Sequence, residues 1–168
     1  MHRSPIAFAS VALFLSSAFV ASSAFVAAQE PPRGTRLSLT RITNRQNSRF
    51  GDQARLVIRD STLWHVVWRH GTETQESPPA VDFGTDMVIV AALGGQPSGC
   101  CGIHVDSVVA GSVDVTAYVS SYRAGENCIV TMGFTDPVEV VRVPRTRHPV
   151  VFAEQEVIGP SCLLAPKQ

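Results

Sequence analysis

The longest unbroken apolar run of the chain is Met87-Val88-Ile89-Val90-Ala91-Ala92-Leu93, which is bounded by Asp86 and Gly94. A strand with one face in water alternates apolar and polar residues, and this run does not alternate. At seven residues the run is also short for a helix. It therefore predicts a central strand that is covered by other elements on both faces.

The best helical pattern lies upstream, from Asp60 to His70. Asp60 or Ser61 can accept hydrogen bonds from the first amides of a helix, and Gly71 suits the position after its carboxyl end. The large apolar side chains fall on one side at helical spacing, namely Leu63, Trp64, Val67 and Trp68. This pattern predicts a helix that packs on a sheet through both tryptophans, with ligand stacking by Trp64 or Trp68 as the alternative.

The rest of the chain after residue 36 consists mainly of short β-type runs between polar turns. Two of them, Ile103–Val109 and Val113–Ser120, flank a short Gly-containing turn and predict a β-hairpin. The other candidate strands are Leu37–Ile42, Arg55–Arg59, Cys128–Phe134, Val138–Val143 and, as an edge, Val150–Ala153. Residues 43–52 and 71–80 are expected to be loops. Six to eight strands and one packed helix indicate an α+β domain with a mostly antiparallel sheet.

The first 28 residues form a separate segment. A short positive start, His2-Arg3, is followed by a stretch from Ile6 to Ala28 without any charged residue. This pattern is typical of a secretory signal peptide, here with cleavage after Ala28. An uncleaved anchor is the alternative, but the serines and alanines weaken it as a membrane span. We therefore expect a secreted or periplasmic protein without a membrane span after cleavage, in which residues 29–50 form a linker with an N-terminal strand and loop.

Export decides how the four cysteines are interpreted, since Cys100, Cys101, Cys128 and Cys162 all follow the signal segment. An even number of cysteines in an exported protein predicts disulfides rather than metal ligands. A bond between the neighbours Cys100 and Cys101 needs a small strained ring. Adjacent side chains of an extended chain also point to opposite faces. We therefore expect Cys100 and Cys101 to bond to distant partners.

The net charge is zero, because 14 basic residues balance 14 acidic ones. Neutrality argues against a nucleic-acid-binding protein or a membrane-surface protein. The charge is divided into blocks of +5 over residues 29–59, −8 over residues 60–140 and +2 over residues 141–168. The basic block is expected to fold against the acidic middle, and docking to an acidic partner is the alternative.

The sequence contains no G-x-S-x-G, H-E-x-x-H, P-loop or dinucleotide-binding pattern. His65 and His70 are five residues apart on the predicted helix, so they do not share a face as an i, i+4 metal-binding pair does. Cysteines in disulfides cannot act as nucleophiles. We therefore expect a protein that is not an enzyme and that uses no cofactor or metal.

One longer pattern resembles the PrcB family. The residues that carry the resemblance are a W-x3-W helix, Val-Asp-Phe before the apolar strand, and a Gly-x-x-Pro-Ser-Gly turn after it: Trp64, Trp68, Asp82, Phe83, Gly94, Pro97 and Gly99. The resemblance covers roughly residues 55–144 and places a PrcB-like domain at residues 51–153, followed by a tail at residues 154–168 with Cys162. The chain departs from the family pattern where Cys100 and Cys101 replace a second glycine and an aromatic residue after the turn.

The family is named for a small accessory subunit of a secreted subtilisin-like protease complex. The resemblance implies a non-catalytic exported domain that binds another exported protein, such as a subtilisin-like protease. Binding is expected at an exposed sheet edge or at the surface around Gly94–Gly99. The alternative is an exported module for a small ligand or glycan, with Trp64, Trp68 or Tyr118 as the stacking surface.

Overall fold

The computed structural model describes residues 34–71 and 76–162. Within these residues the chain forms eight strands and one helix, which confirms the predicted α+β class. The expected signal segment, residues 1–28, lies outside the described residues, as does the tail after Cys162. In chain order the elements are β1 (Thr35–Arg36), β2 (Thr40–Arg45), β3 (Ala54–Ile58), α1 (Ser61–Gly71), β4 (Asp86–Ala92), β5 (Cys101–Ala110), β6 (Val115–Arg123), β7 (Val138–Pro144) and β8 (Val150–Ile158).

The strands form two four-stranded sheets that pack face to face. One, here called the helix-covered sheet, has the order β2-β7-β4-β3 with all neighbours antiparallel. The second sheet has the order β1-β5-β6-β8, in which only β6 and β8 run parallel. The prediction of a mostly antiparallel architecture is therefore confirmed.

The strand β4 occupies the middle of the structure, as its unbroken apolar run predicts. Met87, Ile89 and Ala91 pack against the second sheet, in a core that includes Val105 and Val119. The alternate side chains pack in another core under the helix, namely Val88, Val90 and Ala92. All six of these β4 side chains are fully buried. Because both faces of β4 are covered from Met87 to Ala92, every position in this part of the strand selects an apolar residue.

The helix α1 begins and packs as its sequence predicts. The side chain of Asp60 accepts a hydrogen bond from the amide of Leu63 at 2.8 Å, which is an N-cap interaction. Trp64 and Trp68 are 2% and 5% exposed, and their ring centroids lie 5.1 Å apart. Their indole N–H groups donate to the carbonyls of Pro79 and Glu76 at 3.0 and 3.1 Å. Both tryptophans are therefore packing residues that also fix the chain leading into β4.

Some strand bounds differ from the prediction. The β5–β6 hairpin is confirmed, whereas β8 extends to Ile158, well beyond the predicted Val150–Ala153, because it pairs with β6 along its whole length. Residues Thr43–Arg45 belong to β2 and not to a loop, so that prediction was wrong. The reason is that β2 lies at a sheet edge, where polar side chains can face solvent while the backbone pairs with β7.

Polar side chains close one open side between the sheets, where β1 pairs only with Val109 and Ala110 and leaves the rest of the β5 edge without a strand. There the fully buried Glu139 on β7 accepts a hydrogen bond from the amide of Val105 through Oε2. Its Oε1 accepts from Arg41 at 2.7 Å and from Asn44 at 3.2 Å. Asn44 also donates to the carbonyl of Ile103 at 3.2 Å, so side chains replace a missing neighbour strand.

Ion pairing links the opposite side of the two sheets. Arg55 on β3 contacts both carboxylate oxygens of Glu154 on β8, at 2.9 and 3.1 Å. The same guanidinium donates to the carbonyl of Ala92 at 2.6 Å. Two parallel hydrogen bonds fix the relative position of the two side chains, so this pair links the edge strand β3 of one sheet with the edge strand β8 of the other.

We expect Glu139→Gln to lower the free energy of unfolding by about 1–3 kcal/mol. The amide keeps the shape of the side chain but has one acceptor oxygen, so either the Val105 amide or Arg41 must face its N–H group. The change is measured as a shift in the midpoint of urea unfolding, with the dependence of the unfolding free energy on urea concentration unchanged. Glu156→Gln is the control, because that carboxylate is half exposed and pairs with Arg123 on the surface. Equal midpoints for the two variants would contradict the role given to Glu139.

Candidate functional site

The connection between β6 and β7 presents the most exposed large apolar side chains of the described residues. We call the segment Cys128–Phe134 the apolar loop. Within it Ile129, Met132 and Phe134 are 103%, 94% and 86% exposed, and the segment carries no charged residue. Single exposed apolar residues are normal on protein surfaces, but three in six positions make this segment the candidate interaction site.

The prediction of a strand at Cys128–Phe134 was wrong. The segment has no regular pairing, and its first strand-like contact is the bridge between Thr135 and Gln96 just beyond it. Both apolar cores are formed by other strands and the helix, and Ile129, Met132 and Phe134 belong to neither of them. Gly133 inside the run is the signal that could have indicated this, because glycine weakens a strand interior.

The amino-terminal end of the apolar loop is fixed by the bond between Cys128 and Cys162, whose Cα atoms lie 5.0 Å apart. Next to it, the amide of Cys162 and the hydroxyl of Ser161 both donate to the carbonyl of Glu126 at 3.1 Å. Gly125 lies directly against Pro160, where a Cβ atom would overlap the proline carbonyl. The chain after β8 therefore holds this end of the loop in place through the disulfide and these hydrogen bonds.

The turn Gly94–Gly99 supports the other end. Thr135 and Gln96 exchange two backbone hydrogen bonds, of 2.7 and 3.0 Å. The hydroxyl of Thr135 donates to the carbonyl of Ser98 at 3.1 Å, and the amide of Gly99 donates to the carbonyl of Thr131 at 3.0 Å. Any side chain at Gly99 would collide with that of Thr131. The apolar loop therefore lies beside the Gly94–Gly99 turn, around which partner binding was expected.

Glycine is required at one further position of this turn. Gly94 has φ of +80°, a conformation that residues with a side chain rarely adopt. A Cβ atom there would also lie 2.8 Å from the backbone nitrogen of Gln53. The positive φ at Gly94 therefore lets the chain change direction sharply after β4, towards the apolar loop.

The four cysteines form two disulfides, and one of them corrects the sequence-based expectation. Cys100 bonds to its neighbour Cys101, although distant partners were expected for both. Cys100 lies in the turn after Gly99 and Cys101 is the first residue of β5, so the chain between them is not extended. The argument from opposite faces therefore does not apply. The ring closes the turn that supports the apolar loop.

The residues of the predicted signature fall into two groups in the fold. Gly94, Pro97 and Gly99 lie in the turn beside the apolar loop. The others lie at the helix, namely Trp64 and Trp68 in α1, Asp82 before β4 and half-buried Phe83 in the core under the helix. The side chain of Asp82 accepts a hydrogen bond from the amide of Gly84 at 2.8 Å, so it shapes its own turn. None of these four takes part in the loop contacts given above.

The stacking surface considered for a glycan-binding module is not formed by the tryptophans, since both are buried. Tyr118, the third candidate, is half-buried on β6 in the second sheet. Across residues 34–71 and 76–162 no cluster of three His, Cys, Asp or Glu side chains could hold a metal ion. Within the same ranges, no helix has the length and apolar character needed to cross a bilayer.

The fold and the site define a small two-sheet α+β domain that presents a restrained apolar loop. The family model described as PrcB C-terminal matches residues 87–144, which supports a PrcB-type domain in this part of the chain. The match begins in β4 and ends with β7, and it includes the Gly94–Gly99 turn and the whole apolar loop. Trp64, Trp68, Asp82 and Phe83 precede the matched residues. No curated protein and no solved structure matches the chain.

Proposed function

We propose that this protein is a non-catalytic exported domain that binds another exported protein, as an accessory or stabilising subunit of a secreted subtilisin-like protease. The apolar loop is the docking surface. The observation that carries this proposal is the almost complete exposure of Ile129, Met132 and Phe134 on a segment that is fixed at both ends. Large apolar side chains in such positions gain most from being covered by a partner.

The restraints on the apolar loop support binding because they reduce the entropy lost when a partner docks. A flexible loop must be ordered on association, and that ordering weakens affinity. Here the disulfide at Cys128 and the hydrogen bonds at Thr135 order the loop beforehand. The PrcB-type domain, from a family named for an accessory subunit, points in the same direction.

Export is supported by two independent features. The uncharged segment from Ile6 to Ala28 has the pattern of a secretory signal, with cleavage proposed after Ala28. All four cysteines are bonded, and disulfides persist mainly in oxidising compartments outside the cytosol. Both features support a secreted or periplasmic location.

The docking surface is tested by capture from the exported fraction of the native host. The wild type is expected to retain a subtilisin-like protease, identified by mass spectrometry. A variant with Ile129→Ser, Met132→Ser and Phe134→Ser is expected to bind the protease at least tenfold more weakly, which corresponds to about 1.4 kcal/mol of binding free energy. Because these side chains are exposed, the melting temperature of the variant is expected to stay near that of the wild type.

The matched control is Val113→Ser, which also removes an exposed apolar side chain, 71% exposed, on the β5–β6 connection. This variant is expected to capture as much protease as the wild type. Equal capture by the triple variant would exclude the apolar loop as the docking surface. Absence of any protease from the wild-type capture would count against protease association.

A further inference from the structure

The strand β8 presents the longest regular free edge among the described residues. It pairs with β6 alone, in unbroken register from Val150 to Ile158. The other edge strands are shorter or irregular, since β1 has two residues, β3 has five, and the pairing of β2 with β7 contains a register shift. The open side of β5 is closed by the side chains of Asn44 and Glu139. An additional strand therefore finds nine residues in line only at β8.

Two hydrogen bonds show which main-chain groups of β8 point away from β6. The carbonyl of Pro149, just before the strand, accepts from the amide of Val115 at 2.9 Å, and the amide of Gly159, just after it, donates to the carbonyl of Arg123 at 2.9 Å. Successive residues of a strand direct their N–H and C=O groups to opposite sides. Alternate residues of β8 therefore face outwards, namely Val150, Phe152, Glu154, Glu156 and Ile158. Within the described part of the chain, their main-chain groups make no hydrogen bond to another backbone group.

The acidic side chains of this edge determine which strand fits it. Glu154 and Glu156 lie on the same face of β8, and the strand contains no basic residue. Each carboxylate is paired with an arginine of its own chain but stays about half exposed, at 43% for Glu154 and 52% for Glu156. Like charges on neighbouring strands destabilise their pairing, so a second copy of β8 is a poor neighbour. A segment with basic side chains at alternate positions places one of them opposite each carboxylate.

The free edge of β8 leads to the apolar loop. Ile158, the last residue of β8, is 65% exposed. A few residues later the chain reaches Cys162, which is bonded to Cys128 at the start of the apolar loop. The edge and the proposed docking surface are therefore continuous, so that one partner can cover both.

We propose, on the basis of the proposed docking through the apolar loop, that β8 binds an extended segment of the same partner as an additional strand. This segment carries two basic residues at alternate positions, opposite Glu154 and Glu156. Main-chain hydrogen bonds to the outward groups of β8 provide affinity, and the two charge pairs provide selectivity. The pairing orders the segment of the partner, in keeping with the role of an accessory subunit that stabilises the protein it binds.

The first test needs no protease and uses the wild type with the end-capped peptide Thr-Val-Arg-Val-Arg-Val-Thr at millimolar concentration. Amide exchange, followed by NMR, is expected to slow at least about twofold at Phe152, Glu154 and Glu156, which corresponds to half occupancy of the edge. The amides of Ala153 and Gln155 face β6 and are expected to stay unchanged. The control peptide has glutamate in place of both arginines and is expected to protect none of them. Equal protection by both peptides, or none by the basic one, would overturn the inference.

The second test measures the dissociation constant of the complex with the captured protease. Glu156→Pro and Glu156→Ala both remove the carboxylate, but only proline also removes the outward N–H group. Since this group faces away from β6, proline is compatible with the pairing of β8, and both variants are expected to unfold at similar urea midpoints. Glu156→Pro is expected to bind about fivefold more weakly than Glu156→Ala, as for the loss of one hydrogen bond.

Equal dissociation constants for these two variants would overturn the role of β8 and leave docking through the apolar loop intact. Should proline lower the urea midpoint, amide exchange in the wild-type complex decides instead. Protection of Glu154 and Glu156 by the bound protease supports the added strand, and exchange as fast as in the free protein overturns it. Absence of any captured protease counts against the proposed function, and the result with the basic peptide then decides on the edge of β8 by itself.

Discussion

Replacement of both Cys128 and Cys162 by serine is expected to lower the free energy of unfolding by about 3–4 kcal/mol. The two cysteines are 34 positions apart, so the bond removes considerable chain entropy from the unfolded state. The variant also frees the amino-terminal end of the apolar loop. The loss is measured as a shift in the urea midpoint, and the looser loop as faster exchange of the amides at positions 128 and 162, which donate to the carbonyls of Gly125 and Glu126 in the wild type.

The control for this prediction is the pair Cys100→Ser and Cys101→Ser. Their bond joins sequence neighbours, so it encloses almost no chain and its removal is expected to reduce stability much less. Equal losses for the two double variants would contradict the expectation that the length of chain enclosed by the Cys128–Cys162 bond determines how much the bond stabilises the fold.

Trp64→Ala is expected to lower the free energy of unfolding by about 3–5 kcal/mol. The indole is buried between α1 and the helix-covered sheet, and its removal leaves a cavity beside Trp68 and the apolar side chains of β4. It also removes the donor to the carbonyl of Pro79, which holds the chain that leads into β4. Chemical denaturation followed by far-UV circular dichroism measures the change.

Val66→Ala is the matched control, since Val66 lies on the same helix but is half exposed. Its effect is expected within about 0.5 kcal/mol of zero, as for surface substitutions in general. A loss below about 1 kcal/mol for Trp64→Ala would mean that the site collapses after substitution and that the helix contributes little to the core.

The apolar periodicity of the chain predicts the core well, because the pattern is a direct consequence of burial. The run Met87–Leu93 indicates a strand covered on both faces, and the tryptophans of α1 indicate the layer that covers one of them. Asp60 is a recognisable helix cap since its contact is local, three residues along the chain. Local contacts and periodic burial are visible in a sequence, and both were predicted here.

The candidate site was harder to predict, because exposed apolar residues look the same in sequence as buried ones. The segment Cys128–Phe134 was predicted to be a strand, but its large apolar side chains are exposed and belong to neither core. The contacts of Glu139 with Arg41 and Val105 are also invisible in sequence, since they join residues far apart in the chain. The bond between Cys100 and Cys101 depends on a turn whose geometry sequence spacing alone does not give.

The most direct test of the docking surface is the dissociation constant of the purified complex between this protein and the protease it captures. The account predicts that the variant with serine at positions 129, 132 and 134 binds at least tenfold more weakly than the wild type. It also predicts that Val113→Ser binds like the wild type and that all three proteins unfold at similar midpoints. An unchanged dissociation constant for a correctly folded triple variant would contradict the assignment of the apolar loop as the binding surface.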